Sequence, residues 1–216
     1  MQLTLPEFLL QYYSPMLTSV VAKILGHERY AELVTTYVLE TAKKPNPAPF
    51  TLISRLQSKA AELPERTVPA ECMDHLVAGI DTTGDGLCFL MHELSLPRSQ
   101  YTQKKLQKEL LENPETPFDQ LPYLDAVVKE GLRCFPPIPM SFPRYVPSGG
   151  RTISRFWVPE GTIVSAQPFT LHKDERVFPR SLQYEPERWL SEKGASEREE
   201  MYFAFSKGSR GCLGRK

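Results

Sequence analysis

Apolar positions recur at helical spacing along most of the chain, and this pattern favours a mainly helical protein. The proline-rich stretches at 43–49 and 136–143 interrupt the pattern and must be irregular connections, because proline breaks both helices and central strands. The helices predicted around these stretches are 16–25 and 30–42 (as two helices or one long one), about 52–63, 99–111 and about 121–135.

Short strands are predicted after the second proline-rich stretch. Residues 145–146, 151–158 and 162–166 carry β-branched and aromatic side chains, and turns that contain proline and glycine separate them. Together they predict a small sheet at about 144–166. The expected fold class is therefore mainly α with a small β-sheet (α+β).

The longest apolar repeat predicts a central helix at about 69–94, but its middle is unusual. Residues 78–86 include three glycines, each of which costs about 1 kcal/mol relative to alanine inside a helix. They also include Thr82 and Thr83, whose hydroxyls can bond to a carbonyl of the preceding turn and bend the helix. This composition suggests the close approach of a ligand, and the alternative is a break between two short helices.

Composition limits the classes of function. The 26 basic and 26 acidic side chains of the 216-residue chain give zero formal charge, so electrostatics gives no reason to expect a nucleic-acid partner. No run of eighteen apolar residues occurs, so no transmembrane segment is predicted in this chain. The cysteines are too scattered for a disulfide framework or a zinc site, and Cys72, Cys88 and Cys134 are expected to be buried apolar side chains.

The last dozen residues surround the fourth cysteine, Cys212, with glycines and basic side chains. We predict that Cys212 is a metal ligand, because a thiolate that stays ionised and away from bulk water can hold haem iron. Gly208 and Gly214 would let the backbone lie close to a flat ligand, and a helix that starts at Cys212 would favour the thiolate through its dipole. Arg210 would face an acidic group of the ligand, and Phe205 would cover the sulfur side with an apolar ring.

The segment at 205–214 resembles the haem-binding loop of the cytochrome P-450 family. This resemblance implies a partial cytochrome P-450 fold over residues 1–216, with haem b held by the thiolate of Cys212. It also implies that Arg210 faces a haem propionate, and Arg144 resembles a second propionate partner. The residues that carry the resemblance are Phe205-x-x-Gly208-x-Arg210-x-Cys212-x-Gly214.

A second signature of the same family involves the helix predicted at 121–135. Glu130 and Arg133 are neighbours on that helix, and by themselves they would form a solvent-exposed ion pair worth roughly 0 to 1 kcal/mol. In the family, such a pair meets an arginine of a later Pro-Glu-Arg-aromatic segment, and Arg188 and Trp189 match that arginine and aromatic residue. The resemblance therefore implies that Glu130, Arg133 and Arg188 form a structural cluster.

Two further segments take their expected roles from the resemblance. Residues 78–83 look like the family's oxygen-activation motif, in which Thr82 would help to deliver protons to bound O2 and Asp81 would belong to the proton supply. The irregular stretch at 136–143 resembles the segment that lines the substrate pocket. The expected substrate contacts within it are Ile138, Met140 and Ser141.

The function implied by the resemblance is that of a haem-thiolate monooxygenase, which inserts one oxygen atom from O2 into an apolar organic substrate. Its electrons would come from an NADPH-dependent cytochrome P-450 reductase, and the parent protein is expected at the endoplasmic reticulum membrane, facing the cytoplasm. Complete family members extend beyond this chain at both ends, so we expect the C-terminal half of a fungal member, acting in secondary metabolism. The alternative is a truncated haem-binding or inert fragment without turnover.

Overall fold

The residues described by the computed structural model are 14, 20, 24, 27–59, 62–64 and 66–215. Most of the helix predicted at 16–25 lies outside these described residues. The chain divides into two compact units, Met1–Asp81 and Thr82–Lys216, and the boundary falls inside the longest helix.

Among its described residues, the first unit has one helix on either side of the first proline-rich stretch. They are α1 (His27–Ala42) and α2 (Leu52–Gln57). Thr51 caps α2, because its hydroxyl oxygen accepts a hydrogen bond from the Ser54 N–H at 3.4 Å. Gln57 ties the end of α2 back to α1, since its Nε2 donates to the Ala42 carbonyl at 2.8 Å. The connection between the two helices is therefore anchored at both of its ends.

The longest helix, α3 (Thr67–Ser95), runs without a break across the boundary between the two units. The alternative of two short helices around residues 78–86 is therefore wrong. Helix formation is cooperative, so extending an existing helix through three glycines costs less than nucleating a second helix. Crowding does not explain why glycine occupies positions 79 and 84, because a Cβ at Gly79 or Gly84 would meet no atom within 4 Å.

A central helix organises the second unit. After α3 the helices are α4 (Gln100–Glu112), α5 (Pro122–Cys134), α6 (Pro168–Leu171) and α7 (Ala195–Met201), with 3₁₀ helices at Pro97–Ser99, Phe118–Gln120, Pro186–Leu190 and Gly208–Arg210. Helix α5 packs against α4, against α6 and against the 3₁₀ helix that contains Arg188. Helix α3 approaches α5 closely at Gly131, where a Cβ would lie 2.9 Å from Leu90 Cδ1.

The buried face of α5 differs from the one that the apolar repeat predicted. The apolar residues at helical spacing on α5 are Leu124, Val127, Val128 and Leu132, and this repeat predicts that they form its buried face. In the structure Val127 is buried but Val128 is exposed, and two charged side chains, Glu130 and Arg133, lie in the core instead. The buried residues of α5 are Tyr123, Ala126, Val127, Glu130, Gly131, Arg133 and Cys134. The helix therefore turns a mixed polar and apolar face towards its neighbours.

Two antiparallel sheets of two strands each follow α5 in the chain. The strands are β1 (Arg144–Tyr145), β2 (Arg151–Ile153), β3 (Phe156–Val158) and β4 (Ile163–Val164). Strand β1 pairs with β4, so that Arg144 lies opposite Val164, and β2 pairs with β3. The pattern predicted one strand at 151–158, but the chain reverses at Ser154, whose φ is 57°, and forms a hairpin.

The described residues are thus mainly helical with small antiparallel sheets, which confirms the predicted fold class. None of the described helices combines the length and the apolar character required to cross a membrane.

The expectation of buried cysteines holds for Cys134 but is wrong for two others, since Cys72 is half-buried and Cys88 is exposed. Helix α3 carries apolar residues on several of its own faces, so its sequence did not indicate which face packs against the rest of the protein.

Glu109 of α4 caps the N-terminus of α5. Its two carboxylate oxygens accept hydrogen bonds from the backbone N–H groups of Tyr123 and Leu124, each at 2.8 Å. These N–H groups have no acceptor within the helix, and negative charge is favourable at the positive end of a helix. We therefore expect Glu109→Ala to lower the free energy of unfolding by about 1–2 kcal/mol, measured by urea denaturation.

Glu112→Ala is the matched control for this capping prediction. Glu112 lies on the same helix, but its side chain is largely exposed and pairs with Lys108 at 3.8 Å. A loss of at most about 0.5 kcal/mol is expected, because exposed ion pairs contribute little. Equal losses for the two variants would contradict a capping role for Glu109.

Candidate functional site

The segment around Cys212 is a loop closed by its own backbone. It follows helix α7, and the Cys212 N–H donates to the Phe205 carbonyl at 2.8 Å, which joins the two ends of the loop. Within the loop, the Gly211 N–H donates to the Gly208 carbonyl at 3.0 Å and closes the 3₁₀ turn. Main-chain hydrogen bonds therefore hold the cysteine in place.

Glycine is required at two positions of this cysteine loop. Gly208 has a φ of +71°, a left-handed conformation that costs other residues roughly 1–2 kcal/mol. At Gly211, a Cβ would lie only 3.3 Å from the Gly208 carbonyl oxygen. Gly214 is different, because a Cβ there would make an ordinary contact, 3.8 Å from Cys212 Sγ. The loop conformation thus accounts for Gly208 and Gly211, while Gly214 lies beside the sulfur without a steric need.

The side chain of Cys212 is exposed and forms no disulfide. The thiol of Cys134 is the opposite case, because it is buried and burial raises its pKa to about 11. Residues 213–214 form a turn, so the helix considered from the sequence does not start at Cys212 in the described part of the chain. Nor do three His, Cys, Asp or Glu side chains converge anywhere among the described residues. A metal ion at Cys212 would therefore need most of its ligands from a prosthetic group.

Arg210 and Arg144 are exposed and, like several other arginines, have no acidic partner among the described residues. Arg210 lies in the 3₁₀ turn of the cysteine loop, and Arg144 lies in β1, where its Nη1 donates to the Pro143 carbonyl at 2.9 Å. Both can meet an acidic ligand without first breaking an ion pair. Phe205 is half-buried, and the guanidinium of Arg215 lies 5.6 Å from the centre of its ring. An exposed thiol and two arginines without ion pairs match the chemistry of an acidic ligand.

Asp81 and Thr82 lie in the middle of α3, one on each side of the boundary between the two units. Thr82 is half-buried and Asp81 is exposed. One turn further on, the irregular stretch passes beside α3 at Gly86, where a Cβ would make an ordinary contact 3.4 Å from Pro137 Cγ. The predicted substrate contacts come next in that stretch, and all of them are exposed: Ile138, Met140 and Ser141.

The structure brings Glu130, Arg133 and Arg188 into direct contact. Arg133 donates to both carboxylate oxygens of Glu130, from Nε at 2.8 Å and from Nη2 at 2.9 Å. Arg188 Nε donates to the same carboxylate at 3.0 Å, and Trp189 Nε1 and the Glu185 N–H donate to it at 2.9 Å. The side chains of Glu130 and Arg133 have no exposed surface, so a solvent-exposed ion pair is ruled out.

This buried charged cluster, formed by Glu130, Arg133 and Arg188, also holds a long irregular segment. Burial alone would raise the pKa of Glu130, but the hydrogen bonds and charges of the two arginines outweigh it and keep that pKa below its ordinary value. The other donors of Arg133 reach backbone carbonyls between α6 and the next 3₁₀ helix. The acceptors are the carbonyls of His172 at 2.8 Å, Ser181 at 2.8 Å and Gln183 at 3.0 Å.

His172, to which the sequence pattern assigns no role, lies between α5 and the cysteine loop. Its ring is fully buried, with Nδ1 3.2 Å from the Arg133 carbonyl oxygen, and Nε2 accepts a hydrogen bond from the Phe203 N–H at 2.9 Å. The ring is therefore neutral and carries its proton on Nδ1. Burial lowers the pKa of His172 from 6.5 to about 4, and the charges of Arg133 and Lys173 act in the same direction.

Three comparisons with known proteins give consistent matches. The family model described as cytochrome P-450 matches residues 4–216. Two cytochrome P-450 monooxygenases of Penicillium roqueforti (strain FM164) are similar: ORF11 is 34% identical over 88% of this chain, and ORF9 is 33% identical over 99%. A zebra fish cytochrome P-450 structure with progesterone matches 85% of this chain and 44% of its own, at a TM-score of 0.67 and 25% identity. The chain spans about 40% of the length of these two curated relatives.

Glu130→Gln should be strongly destabilising. The substitution keeps the size of the side chain but removes the carboxylate that pairs with both arginines, so that buried Arg133 loses its counter-charge and Arg188 keeps only its 3.2 Å pair with Glu185. Breaking a buried ion pair in this way costs roughly 3–5 kcal/mol of unfolding free energy, which urea denaturation would measure.

Asp125→Asn on the same helix is the control for the Glu130 substitution. Asp125 is half exposed and pairs with Lys129 at 3.1 Å, one turn along α5. The expected loss is below about 1 kcal/mol, because solvent screens this pair. A Glu130→Gln protein as stable as the Asp125→Asn protein would show that the cluster contributes little.

The stability of the protein should fall in mild acid because of His172. Its pKa is 6.5 when unfolded and about 4 when folded, so between these values the unfolded state binds more protons. Stability is therefore fully present above pH 6.5 and is lost as the pH falls towards 4. Between about pH 7 and about pH 5 the expected loss is about 2 kcal/mol, measured by urea denaturation at each pH.

His172→Gln removes the titrating group and serves as the reference for this pH effect. The variant should be less stable than the unchanged chain near pH 7 but should show a flatter dependence down to pH 5. The interval stops above the range in which exposed carboxylates titrate. The same slope in both proteins would mean that another group is responsible.

Proposed function

The chain belongs to the cytochrome P-450 family, and we propose that Cys212 is the thiolate ligand of haem b in a monooxygenase. This enzyme would insert one oxygen atom from O2 into an apolar organic substrate. The observation that carries the proposal is an exposed, unpaired thiol held in a loop that its own backbone closes. Haem, when bound, supplies the centre at which O2 is reduced and its O–O bond is split.

The arginines and the cysteine loop would hold this cofactor. Arg210 and Arg144 would bind the two propionates through charge-assisted hydrogen bonds, and their lack of acidic partners among the described residues supports this role. Phe205 would cover the sulfur side with its ring and limit the access of water to the thiolate. Gly208 would keep the loop in its left-handed turn, and Gly214 would leave room beside the sulfur.

Two residues of α3 would transfer protons to the reaction. The reaction consumes two electrons and two protons for each O2, and the oxygen atom that is not inserted leaves as water. The hydroxyl of Thr82 would hold and pass on a proton, and the half-buried position of this residue suits a relay. The carboxylate of Asp81 is exposed and would replace that proton from solvent.

The substrate and the electron donor are parts of the same proposal. Ile138 and Met140 are exposed apolar side chains that could contact an apolar substrate, with Ser141 as a polar neighbour. The zebra fish structure was solved with progesterone, an apolar molecule, which supports the same class of ligand here. An NADPH-dependent cytochrome P-450 reductase at the endoplasmic reticulum would supply electrons. The likeness to fungal monooxygenases supports a role in secondary metabolism.

The buried charged cluster would have a supporting role in this function. Glu130, Arg133 and Arg188 lie away from solvent and bind protein groups, so they have no donor or acceptor to offer a substrate. We assign them to holding the protein around the haem. A chain that lacks the cluster would then lose haem as a consequence of unfolding.

A second candidate applies to the 216-residue chain taken alone. It spans about 40% of the length of the two monooxygenases from Penicillium roqueforti, so it could bind haem without turnover or remain inert. Haem binding and catalysis therefore need separate measurements. Spectroscopy reports the first, and product formation with a reductase, NADPH and a substrate reports the second.

Thiolate ligation is tested by the carbon monoxide spectrum of the reduced protein. The chain is produced with a supply of haem, reduced and exposed to carbon monoxide. A strongly red-shifted Soret band is expected, because the thiolate donates electron density to the iron. Cys212→Ala should abolish this band, since no other side chain of the loop can replace the thiolate.

Cys88→Ala is the matched control for the carbon monoxide experiment. Cys88 is also an exposed and unpaired cysteine, but it lies on α3, outside the cysteine loop. The red-shifted band should persist in this variant. A band that survives in Cys212→Ala would refute the ligand assignment, and its absence from the unchanged chain would support the inert alternative.

A further inference from the structure

The cysteine loop is connected to the interior through one buried ring. The Nε2 atom of His172 accepts a hydrogen bond from the Phe203 N–H at 2.9 Å, just before the loop begins. The Ser206 N–H then donates to the Phe203 carbonyl at 3.1 Å, and the Cys212 N–H donates to the Phe205 carbonyl at 2.8 Å. These bonds form a continuous route from the His172 ring to the backbone of the cysteine.

The other side of the ring faces the buried charged cluster. Nδ1 of His172 lies 3.2 Å from the carbonyl oxygen of Arg133, whose guanidinium holds Glu130. Arg133 Nη1 also donates to the backbone carbonyl of His172 at 2.8 Å. The histidine is therefore bound to α5 by its ring and by its main chain.

Neighbouring aromatic rings fix the orientation of the His172 ring. It stacks on Tyr202 with ring centres 5.6 Å apart and planes 15° apart, and it meets Phe178 edge-on at 6.3 Å. Its side chain has no exposed surface. Full burial and the stacking on Tyr202 favour a fixed ring orientation, in which the two nitrogens keep their partners.

We propose that His172 is a positioning residue that couples the buried charged cluster to the cysteine loop and so sets the place of the Cys212 sulfur. A neutral imidazole suits this task because one nitrogen donates while the other accepts. Packing alone would be served as well by phenylalanine, which offers neither function. The role of Cys212 as haem ligand rests on the proposed function, but the coupling itself can be measured without haem.

The charged groups around the ring favour its neutral form. Arg133 and Lys173 are positive and Glu130 is negative, and Arg133 and Glu130 already neutralise each other in the cluster. A proton on Nε2 would place two N–H donors face to face at Phe203. The coupling is therefore expected to hold at neutral pH and to fail in acid.

The test is amide hydrogen exchange in the haem-free 216-residue chain, followed residue by residue by NMR. His172→Phe keeps the stacked ring but loses both hydrogen bonds. His172→Gln can place an amide oxygen near the former Nε2 position, whereas His172→Asn is too short to reach Phe203. We expect exchange at Phe203, Ser206 and Cys212 to rise about ten-fold in the Phe and Asn variants and to stay within about three-fold in the Gln variant.

Tyr184→Phe is the control for a purely structural effect. The Tyr184 hydroxyl donates to the Val127 carbonyl at 3.1 Å, so this variant also loses one hydrogen bond on α5, without a contact to Phe203. Its exchange in the cysteine loop should match that of the unchanged chain. Equal loop exchange in Tyr184→Phe and His172→Phe would overturn the proposal, and so would unchanged exchange in His172→Asn. If His172→Phe does not fold, the difference in loop exchange between His172→Gln and His172→Asn decides whether the coupling exists.

The haem-loaded protein supplies a second, independent reading. His172→Asn should lose a large part of the red-shifted carbon monoxide band, because a loosened loop holds the sulfur less firmly, while His172→Gln and Tyr184→Phe should keep it. A full band in His172→Asn would show that the coupling does not position the sulfur. If the unchanged chain binds no haem, the proposed function fails, and the exchange data still decide whether the coupling exists.

Discussion

One buried carboxylate, that of Glu130, is the constraint on which the second unit depends. Removing a carboxylate and two guanidiniums from water costs several kcal/mol per ion, and the attraction between them compensates only when nearly every donor is used. Here both oxygens of Glu130 accept hydrogen bonds from Arg133, Arg188, Trp189 and the backbone of Glu185. The arrangement tolerates few alternatives, because any displaced partner would leave a charge unpaired in the core.

This constraint gives order to a part of the chain that has little regular structure. The turns of the segment between α6 and the 3₁₀ helix of Arg188 satisfy only some of its carbonyls, and Arg133 satisfies three others. His172 belongs to the same segment and reaches the start of the cysteine loop at Phe203. The exposed thiol of Cys212 is thus connected to the most deeply buried charges of the unit through hydrogen bonds.

The division between a rigid interior and a reactive surface suits a cofactor protein. A metal ligand must be accessible to the group it binds, yet its position must not drift, and a loop alone rarely meets both needs. In this chain Gly208 and the hydrogen bond of the Cys212 N–H determine the local shape of the loop. The proposed coupling through His172 would connect the loop to the buried charged cluster. The proposed haem ligation would explain why a thiol, rather than a histidine, occupies the exposed position.

Local patterns in the sequence were sufficient to predict the class of fold and to select candidate site residues. The apolar repeat located α3 and α5, and the spacing of residues 205–214 singled out Cys212 and Arg210. These features depend on neighbours within a few turns of the chain, which periodicity reports directly. The continuity of α3 through 78–86 was left open, because three glycines in a helix interior are unfavourable and local composition alone does not show that a break would cost more.

Only the tertiary structure decided which polar groups lie inside. Periodicity placed Glu130 outside the apolar stripe of α5, and only the family resemblance paired it with Arg188, 58 residues further along the chain; the structure shows that this pair lies in the core. The pairing of His172 with Phe203 likewise joins residues 31 positions apart. A charge or an imidazole can be buried only when distant groups supply its hydrogen bonds, and no local pattern contains that information.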